Sequence, residues 1–201
     1  MESLLMTLGS SWASGVRPYL AIFLVGLVGR LAGLEQVPAV IQRTDVLVIT
    51  GILLVVDFLA DKVPYFDSLW DQIHVVIRPI AGGALGYLLG GETDTVHAVV
   101  MAILGAATAF AAHAAKATAR AAVNVSPEPV SNWVVSFGED IAAVAMSLLA
   151  VLLPVIAAIL AIFFLIVGLY VAYRIHKAVT NLSARVREAR RRRAPVGPSL
   201  H

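Results

Sequence analysis

The sequence has no cysteine among its 201 residues, which excludes a disulfide-stapled secreted domain and a zinc site built on thiolates. Charged residues are also scarce, at 14% against about 25% in ordinary globular chains. Hydrophobic residues make up 59% of the sequence, which is more than one core of this size can bury. This composition excludes disorder, collagen-like structure and a coiled-coil rod, and it predicts an integral membrane protein.

The motifs of common enzyme classes are absent as well. The sequence contains no Gly-rich phosphate loop, no Gly-x-Ser-x-Gly elbow and no His-Glu-x-x-His pair. Asp61, Asp67, Asp71 and His74 would offer oxygen and nitrogen ligands to a divalent cation, but nearby cationic residues weaken that alternative. We therefore expect a protein that is not an enzyme and that holds no cofactor and no metal.

Five apolar segments approach the length of about 20 residues that a helix needs to cross the hydrocarbon core. They are Val16–Leu34, Val46–Ala60, Pro79–Gly90, Val96–Ala115 and Ile141–Tyr173. The third is too short unless the turns before it contribute. The last would be about 50 Å long as a straight helix, so we expect one helix kinked at Pro154 rather than two half-spans folded back there. The predicted fold class is an all-α, polytopic transmembrane helical bundle of about five spans.

Positive charge is concentrated at the carboxyl end, where eight of the 15 Lys and Arg residues lie in the last 28 positions. We divide the chain into a transmembrane helical domain, 1–178, and a basic tail, 179–201. Because Lys and Arg accumulate on the cytoplasmic side of membranes, we predict a cytoplasmic tail rather than a nucleic-acid-binding one. Five spans then put the N-terminus, which has no cleavable signal peptide, outside, and Arg30 and Arg43 on the side of the tail. We expect the bacterial inner (plasma) membrane.

Two polar faces interrupt the apolar pattern. Asp67, Asp71, His74 and Arg78 are spaced 4, 3 and 4 apart, which places them on one helical face. The face belongs either to an amphipathic helix at the membrane surface or to the wall of a polar cavity. Asp57 and Asp61 would add carboxylates to the cavity wall.

A second face has mostly cationic residues. His113, Lys116, Arg120 and Asn124 are spaced 3, 4 and 4 apart, again on one side of a helix. In the five-span topology both faces lie at the outer side. We expect the two faces to pair, because pairing would offset the desolvation cost of each.

A proline-punctuated loop with Asn124 and Asn132 follows the second face, and the acidic pair Glu139 and Asp140 precedes the last apolar segment. Carboxylates there either cap the start of a helix or line a pathway. Capping is the favoured interpretation.

Small residues and a weak internal repeat mark the helical pairs. Gly82, Gly86 and Gly90 form a G-xxx-G-xxx-G stripe, which is typical of close helix packing in membranes. Arg17-Pro18 recurs as Arg78-Pro79, which suggests repeats over 16–62 and 77–116. Coincidence among Ala- and Gly-rich helices is an equal alternative.

The sequence contains three polar blocks, in this order: ADKVPYFDSLWDQIHVVIRPIAG, HAAKATARAAVN and SPEPVSN followed by S-x-x-ED. Together they resemble the domain-of-unknown-function family numbered 4126. The resemblance covers roughly positions 14 to 155 and leaves the basic tail outside. It implies a small integral membrane protein and no particular activity.

The function we favour is a membrane transporter or channel for a small polar or ionic solute, forming a homo-oligomer among membrane lipids and binding no nucleic acid. The alternatives are a non-transporting scaffold or lipid-binding protein whose ion pairs are structural and, ranked lower, an enzyme acting on lipid head groups. The predicted pathway residues are Arg17, Asp57, Asp61, Lys62, Asp67, Asp71, His74, Arg78, His113, Lys116, Arg120, Asn124, Asn132, Glu139 and Asp140.

Overall fold

The computed structural model describes residues 1–60, 66–91, 94–123 and 129–193, which form seven α-helices and no strand within those ranges. Side chains are described there except at 66–69, 71, 121–123, 129–133, 176, 179 and 181–193. The helices are α1 (Glu2–Val16), α2 (Pro18–Ala32), α3 (Thr44–Ala60), α4 (Phe66–Gly90), α5 (Thr95–Val123), α6 (Pro129–Leu152) and α7 (Pro154–Arg193). The all-α polytopic bundle predicted from the sequence is confirmed.

Four of the described helices contain stretches long and apolar enough to cross a membrane. These are Gln72–Gly90, Thr95–Arg120, Val134–Leu152 and Pro154–Ile175, while Pro18–Ala32 is a shorter apolar helix. The third predicted segment was too short to cross a membrane alone, and in the structure the turns before Pro79 lengthen it into α4. Pro79 therefore lies inside the helix.

Helix α1, to which the sequence analysis assigned no span, is the central element of the bundle. It packs against α2, α4, α5, α6 and α7. Its buried residues are mostly small or carry hydroxyls, such as Gly9, Ser10, Ser11 and Ala13, and small residues let neighbouring backbones approach closely. The serines also lower its apolar character, which is why hydropathy did not select it.

The chain breaks between α1 and α2 at Arg17, so the helix of the first predicted segment, Val16–Leu34, begins two residues later than predicted, at Pro18. Arg17 is extended, with φ −143° and ψ 91°. Its N–H donates to the Ala13 carbonyl at 2.8 Å and its carbonyl accepts from the Ala21 N–H at 3.0 Å. Pro18 has no N–H and disfavours helical geometry in the residue before it, so the break leaves few unsatisfied backbone groups.

A second break of the same kind separates α6 from α7. The Leu153 N–H donates to the Leu149 carbonyl at 2.8 Å, and the Leu153 carbonyl accepts from the Ala157 N–H at 3.1 Å. Pro154 follows and begins α7. The predicted single kinked helix over Ile141–Tyr173 is wrong, because the structure has two helices there.

Contacts along α1 show that α6 and α7 run in opposite directions. Gly9 lies directly against both Ala150 of α6 and Ala157 of α7. Further along α1, Trp12 packs on Phe164 of α7 with ring centroids 5.2 Å apart. The chain therefore turns back at Pro154, since α7 retraces the path of α1 towards Arg17.

This reversal places the tail at the same end of the bundle as the two polar faces, so the predicted separation of the tail from those faces is wrong. Gly168 of α7 lies against Ala115 of α5. The neighbouring Lys116 reaches the Val16 carbonyl at 3.2 Å, so α7 returns to the end at which α2 begins. Helix α2 leads away from that end to Arg30, about 20 Å distant along the helix. The grouping of Arg30 and Arg43 with the tail is wrong.

Close packing joins α4 to α5 along the predicted glycine stripe. Gly82 lies against Gly105, and Gly86 lies against the Met101 backbone. Gly90 lies against Met101 and Ala98. A methyl group at Gly86 would overlap the Met101 carbonyl, so this stripe brings the two backbones into contact.

Candidate functional site

Charged side chains from five elements meet at the end of the bundle where α2 begins. They come from the α1–α2 junction, α3, α4, α5 and α6. We call the following nine residues the charged cluster: Arg17, Asp57, His74, Arg78, His113, Lys116, Arg120, Glu139 and Asp140.

Arg17 bridges two carboxylates from different helices. Its Nη1 lies 3.0 Å from Asp57 Oδ2, and its Nε lies 2.7 Å from Asp140 Oδ1. The Arg17 and Asp57 side chains are 2% and 1% exposed. Because an unpaired charge in such a site costs several kcal/mol, these pairs hold α3 and α6 against the junction.

Asp57 also contacts Trp70 and His74. The Trp70 Nε1–H donates to Asp57 Oδ1 at 2.8 Å. His74 Nδ1 lies 2.7 Å from the Trp70 carbonyl, which can only accept, so Nδ1 carries a proton. His74 Nε2 then faces Asp57 Oδ1 at 3.5 Å.

Arg78 connects α4 to α5 and to α1. Its Nη1 donates to His113 Nδ1, and this assigns the His113 proton to Nε2 in the neutral ring because a guanidinium has no acceptor. The Ser14 hydroxyl donates to the Arg78 carbonyl at 3.4 Å. Arg78 is 1% exposed, so its charge lies inside the protein.

Glu139 of α6 binds two cations of α5. Arg120 forms a fork with it, from Nε to Oε1 at 3.2 Å and from Nη2 to Oε2 at 2.9 Å. Lys116 Nζ lies 3.0 Å from Glu139 Oε2 and donates to the Val16 carbonyl at the end of α1. A cation there suits the negative end of the helix dipole.

Two cavities adjoin the charged cluster on different sides. The polar cavity, about 170 Å³, lies between α4 and α5 and is lined by Arg78, His113, Lys116 and Arg120, among others. The lateral cavity, about 610 Å³, lies between α3 and α6. Arg17, Asp57 and Asp140 form its charged end, and apolar side chains form the rest of its wall.

The two predicted polar faces meet through Arg78 and His113, while the carboxylate that binds Lys116 and Arg120 comes from α6. His74 and Arg78 are 0% and 1% exposed, so the alternative of a surface helix bathed in water is wrong for them.

Several of the predicted pathway residues have side chains that the structure does not describe. Asp61, Lys62 and Asn124 lie outside the described residues, and Asp67, Asp71 and Asn132 lie in helices without described side chains.

The capping role predicted for Glu139 and Asp140 is wrong. Helix α6 begins at Pro129, about three turns earlier, so neither carboxylate lies at a helix N-terminus. Both instead form the ion pairs described above.

The sequence analysis missed the hydroxyls of α1. Ser11 donates to the Gly82 carbonyl at 3.0 Å, and Ser14 donates to the Arg78 carbonyl. Thr7, Ser11 and Ser14 recur with helical spacing in an uncharged run, which is the pattern that could have identified a buried helix. Nothing in the sequence indicates that Trp70 binds Asp57.

Among the described residues, no group of three His, Asp or Glu side chains is arranged to hold a metal ion. A family model described as "Domain of unknown function (DUF4126)" matches residues 4–174, which include the whole charged cluster. No curated protein and no solved structure matches the chain.

Proposed function

Because the chain belongs to the family described as Domain of unknown function (DUF4126), we propose its function from its own residues. It is an integral membrane protein, and we propose that it is a transporter or channel, not an enzyme. The charged cluster would bind a small polar or ionic solute on its way through the bundle.

The observation that carries the proposal is the meeting of nine ionisable side chains at one end of an apolar bundle. Six of them are buried, and Arg120, Glu139 and Asp140 are partly exposed. Well-packed apolar residues often stabilise a protein as well as buried ion pairs do, so stability alone does not account for this cluster. Ionisable groups inside membrane spans usually mark the paths of solutes, ions or protons. The polar cavity gives a solute room beside the cluster.

The broken helix at Arg17 supports the same function. The last carbonyls of α1 and the first N–H groups of α2 end at the charged cluster, as Lys116 bonded to Val16 shows. Transporters often place such helix ends at their binding sites, because irregular backbone inside a membrane needs protein or a polar cavity around it.

The bundle is closely packed between the cluster and the other end. Ser11 is hydrogen bonded to Gly82 and lies against Gly105, so α1, α4 and α5 leave little space between them there. Passage of a solute between these three helices would therefore require α1 to move relative to α4 and α5.

The charge distribution favours a cytoplasmic location for the cluster end. Arg174 and the part of α7 that follows it lie at that end, whereas Arg30 and Arg43 lie at the opposite one. Because Lys and Arg accumulate on the cytoplasmic side, we propose that the N-terminus is outside and the tail is inside.

A flux assay tests the proposal with the full chain in proteoliposomes. Potassium chloride, potassium acetate and glycerol serve as probes, read by light scattering after an osmotic step, and an internal pH dye reads protons. We expect at least one probe to cross faster than in protein-free vesicles. Arg120→Gln should lower that rate at least tenfold, because Glu139 loses its fork partner.

Arg43→Gln is the matched control. Arg43 also pairs with a carboxylate, Asp45, at 2.6 Å, but both side chains are more than half exposed and lie away from the cluster. Its flux should equal that of the wild type.

The structural alternative is a non-transporting scaffold, and the double pairing of Arg17 and of Glu139 favours it. If none of the four probes crosses, and Arg120→Gln changes only the melting temperature, the transport proposal is overturned.

A further inference from the structure

We propose that the lateral cavity binds a single-chain amphiphile with an ammonium head group, entering from the bilayer. The head group would lie at Asp140, and the alkyl chain would lie between α3 and α6. This site goes beyond the proposed transport function, because binding is measured without any flux.

The size and the walls of the lateral cavity suit an alkyl chain. Leu54 and Phe58 of α3 face Ile141, Val144 and Leu148 of α6 across it. Its volume of about 610 Å³ lies within the range of about 300–1,000 Å³ that is usual for small-molecule sites. The α6 wall from Phe137 to Leu148 is about 16 Å long, enough for a medium-length chain.

The charged end of the cavity favours a cationic head group. Its described charged residues are Arg17, Asp57 and Asp140, whose formal charges sum to one negative charge. Asp140 is 20% exposed, whereas Arg17 is 2% exposed. The Asp140 carboxylate is therefore the more accessible of these two charges.

Two aromatic residues line the same cavity and lie close in the sequence to the residues of its charged end. Phe58 follows Asp57 directly, and Phe137 lies one helical turn before Asp140. Ammonium groups bind well where a carboxylate and aromatic faces meet, because the ring quadrupole attracts the cation. An alkyl chain alone would not need this arrangement.

A second groove on α3 provides an internal comparison. The apolar groove, about 540 Å³, is lined by Phe23 of α2 and by Leu47, Gly51 and Ile52 of α3. None of its described lining residues is charged. The two sites are similar in size and share a helix, so a ligand that prefers the lateral cavity must recognise its charged end.

Photolabelling tests the proposal with the full chain in phosphatidylcholine nanodiscs. The probe is dodecylamine with a diazirine in its chain, and labelled peptides are mapped by mass spectrometry. We expect labels on α6 between Phe137 and Leu148. Unlabelled dodecylamine should reduce them at least tenfold more than dodecanoic acid, which has a similar chain and the opposite charge.

Matched variants locate the site. Ile141 and Ile52 are both 59% exposed and line the lateral cavity and the apolar groove respectively. Ile141→Trp should reduce the labelling of α6 at least fivefold, whereas Ile52→Trp should leave it unchanged. Asp140→Asn should remove the preference for the amine over the acid, and the tryptophan pair keeps the test valid if that variant fails to fold.

Three results would overturn the proposal. Equal competition by dodecanoic acid would show ordinary contact with lipid chains. Equal labelling of the apolar groove would show that the charged end is not recognised. Crosslinks between two chains at α6 would show that a second copy covers the cavity. Each of these results leaves the flux assay unaffected, so the two proposals fail separately.

Discussion

The two proline junctions use the same backbone arrangement in opposite surroundings. At each, one residue donates its N–H to the preceding helix and accepts from the following one, and a proline begins the next helix. Arg17 is 2% exposed among carboxylates, whereas Leu153 is 50% exposed on an apolar surface. At both junctions the helix breaks at the residue before the proline, and that residue has a different environment in each.

Arg78-Pro79 shows that a proline alone does not reverse the chain. Helix α4 continues through Pro79, although Arg78 is as buried as Arg17. The comparison between the Arg17 and Leu153 junctions therefore concerns their side chains, and substitutions at these two positions test it.

Removal of the arginine from the first junction should have the largest effect. Arg17→Met leaves Asp57 and Asp140 buried without their shared partner, so we expect a loss of about 3–5 kcal/mol in the free energy of unfolding. Steric-trap unfolding in bicelles measures it. The double variant Arg17→Met with Asp57→Asn should recover part of the loss, and equal losses in both would contradict the ion-pair explanation.

The reciprocal change places an arginine at the second junction. Leu153→Arg should cost about 3 kcal/mol, because a charge on a lipid-facing surface is expensive while leucine there is favourable. The same unfolding measurement applies, with Leu153→Ala as the control that removes the side chain without adding charge. A Leu153→Arg protein as stable as Leu153→Ala would mean that this junction lies in water.

Close packing around α1 should contribute less than the ion pairs at its end. Gly86 lies against the Met101 backbone and Thr7, so Gly86→Ala should destabilise the protein by about 1–3 kcal/mol through overpacking. Gly138, also helical, has nothing within 4 Å of an added methyl group. Gly138→Ala should be neutral or slightly stabilising in thermal unfolding, and equal losses at both positions would exclude overpacking as the cause.

The exposed pair of Arg43 and Asp45 should show the smallest effect. The hydrogen bond from Arg43 lowers the pKa of Asp45 below its usual value. The resulting stabilisation is present above the ordinary carboxyl pKa of about 4 and is lost as the pH falls through the lowered value. Melting temperatures of wild type and Arg43→Gln should differ slightly at pH 6 and converge in strong acid, and a difference that grows in acid would contradict the sign.

Hydropathy and helical spacing predicted the class of fold and the faces containing His74, Arg78, His113, Lys116 and Arg120. They did so because an isolated charge in an apolar run is costly and must be paired. Tertiary partners could not be predicted in the same way. Glu139 meets Arg120 through the packing of α6 on α5, and no sequence spacing encodes that contact.

The missed helix and the missed reversal each have a physical cause. Hydropathy measures how apolar a segment is, but α1 is buried through small residues and serines, and Pro154 gave no indication of the angle between its flanking helices. Arg17-Pro18 carried a usable indication, because the residue before a proline avoids helical geometry.

The length of α7 separates its carboxyl end from the charged cluster. The helix has 40 residues, about 60 Å, whereas the hydrocarbon core is about 30 Å thick. Its apolar stretch ends at Ile175, and the remainder to Arg193 extends about 27 Å. That distance is about three times the screening length of about 8 Å in physiological salt. A charge at the end of this helix therefore exerts almost no field on ions near Arg120, and its influence is confined to anionic surfaces within reach of the helix end.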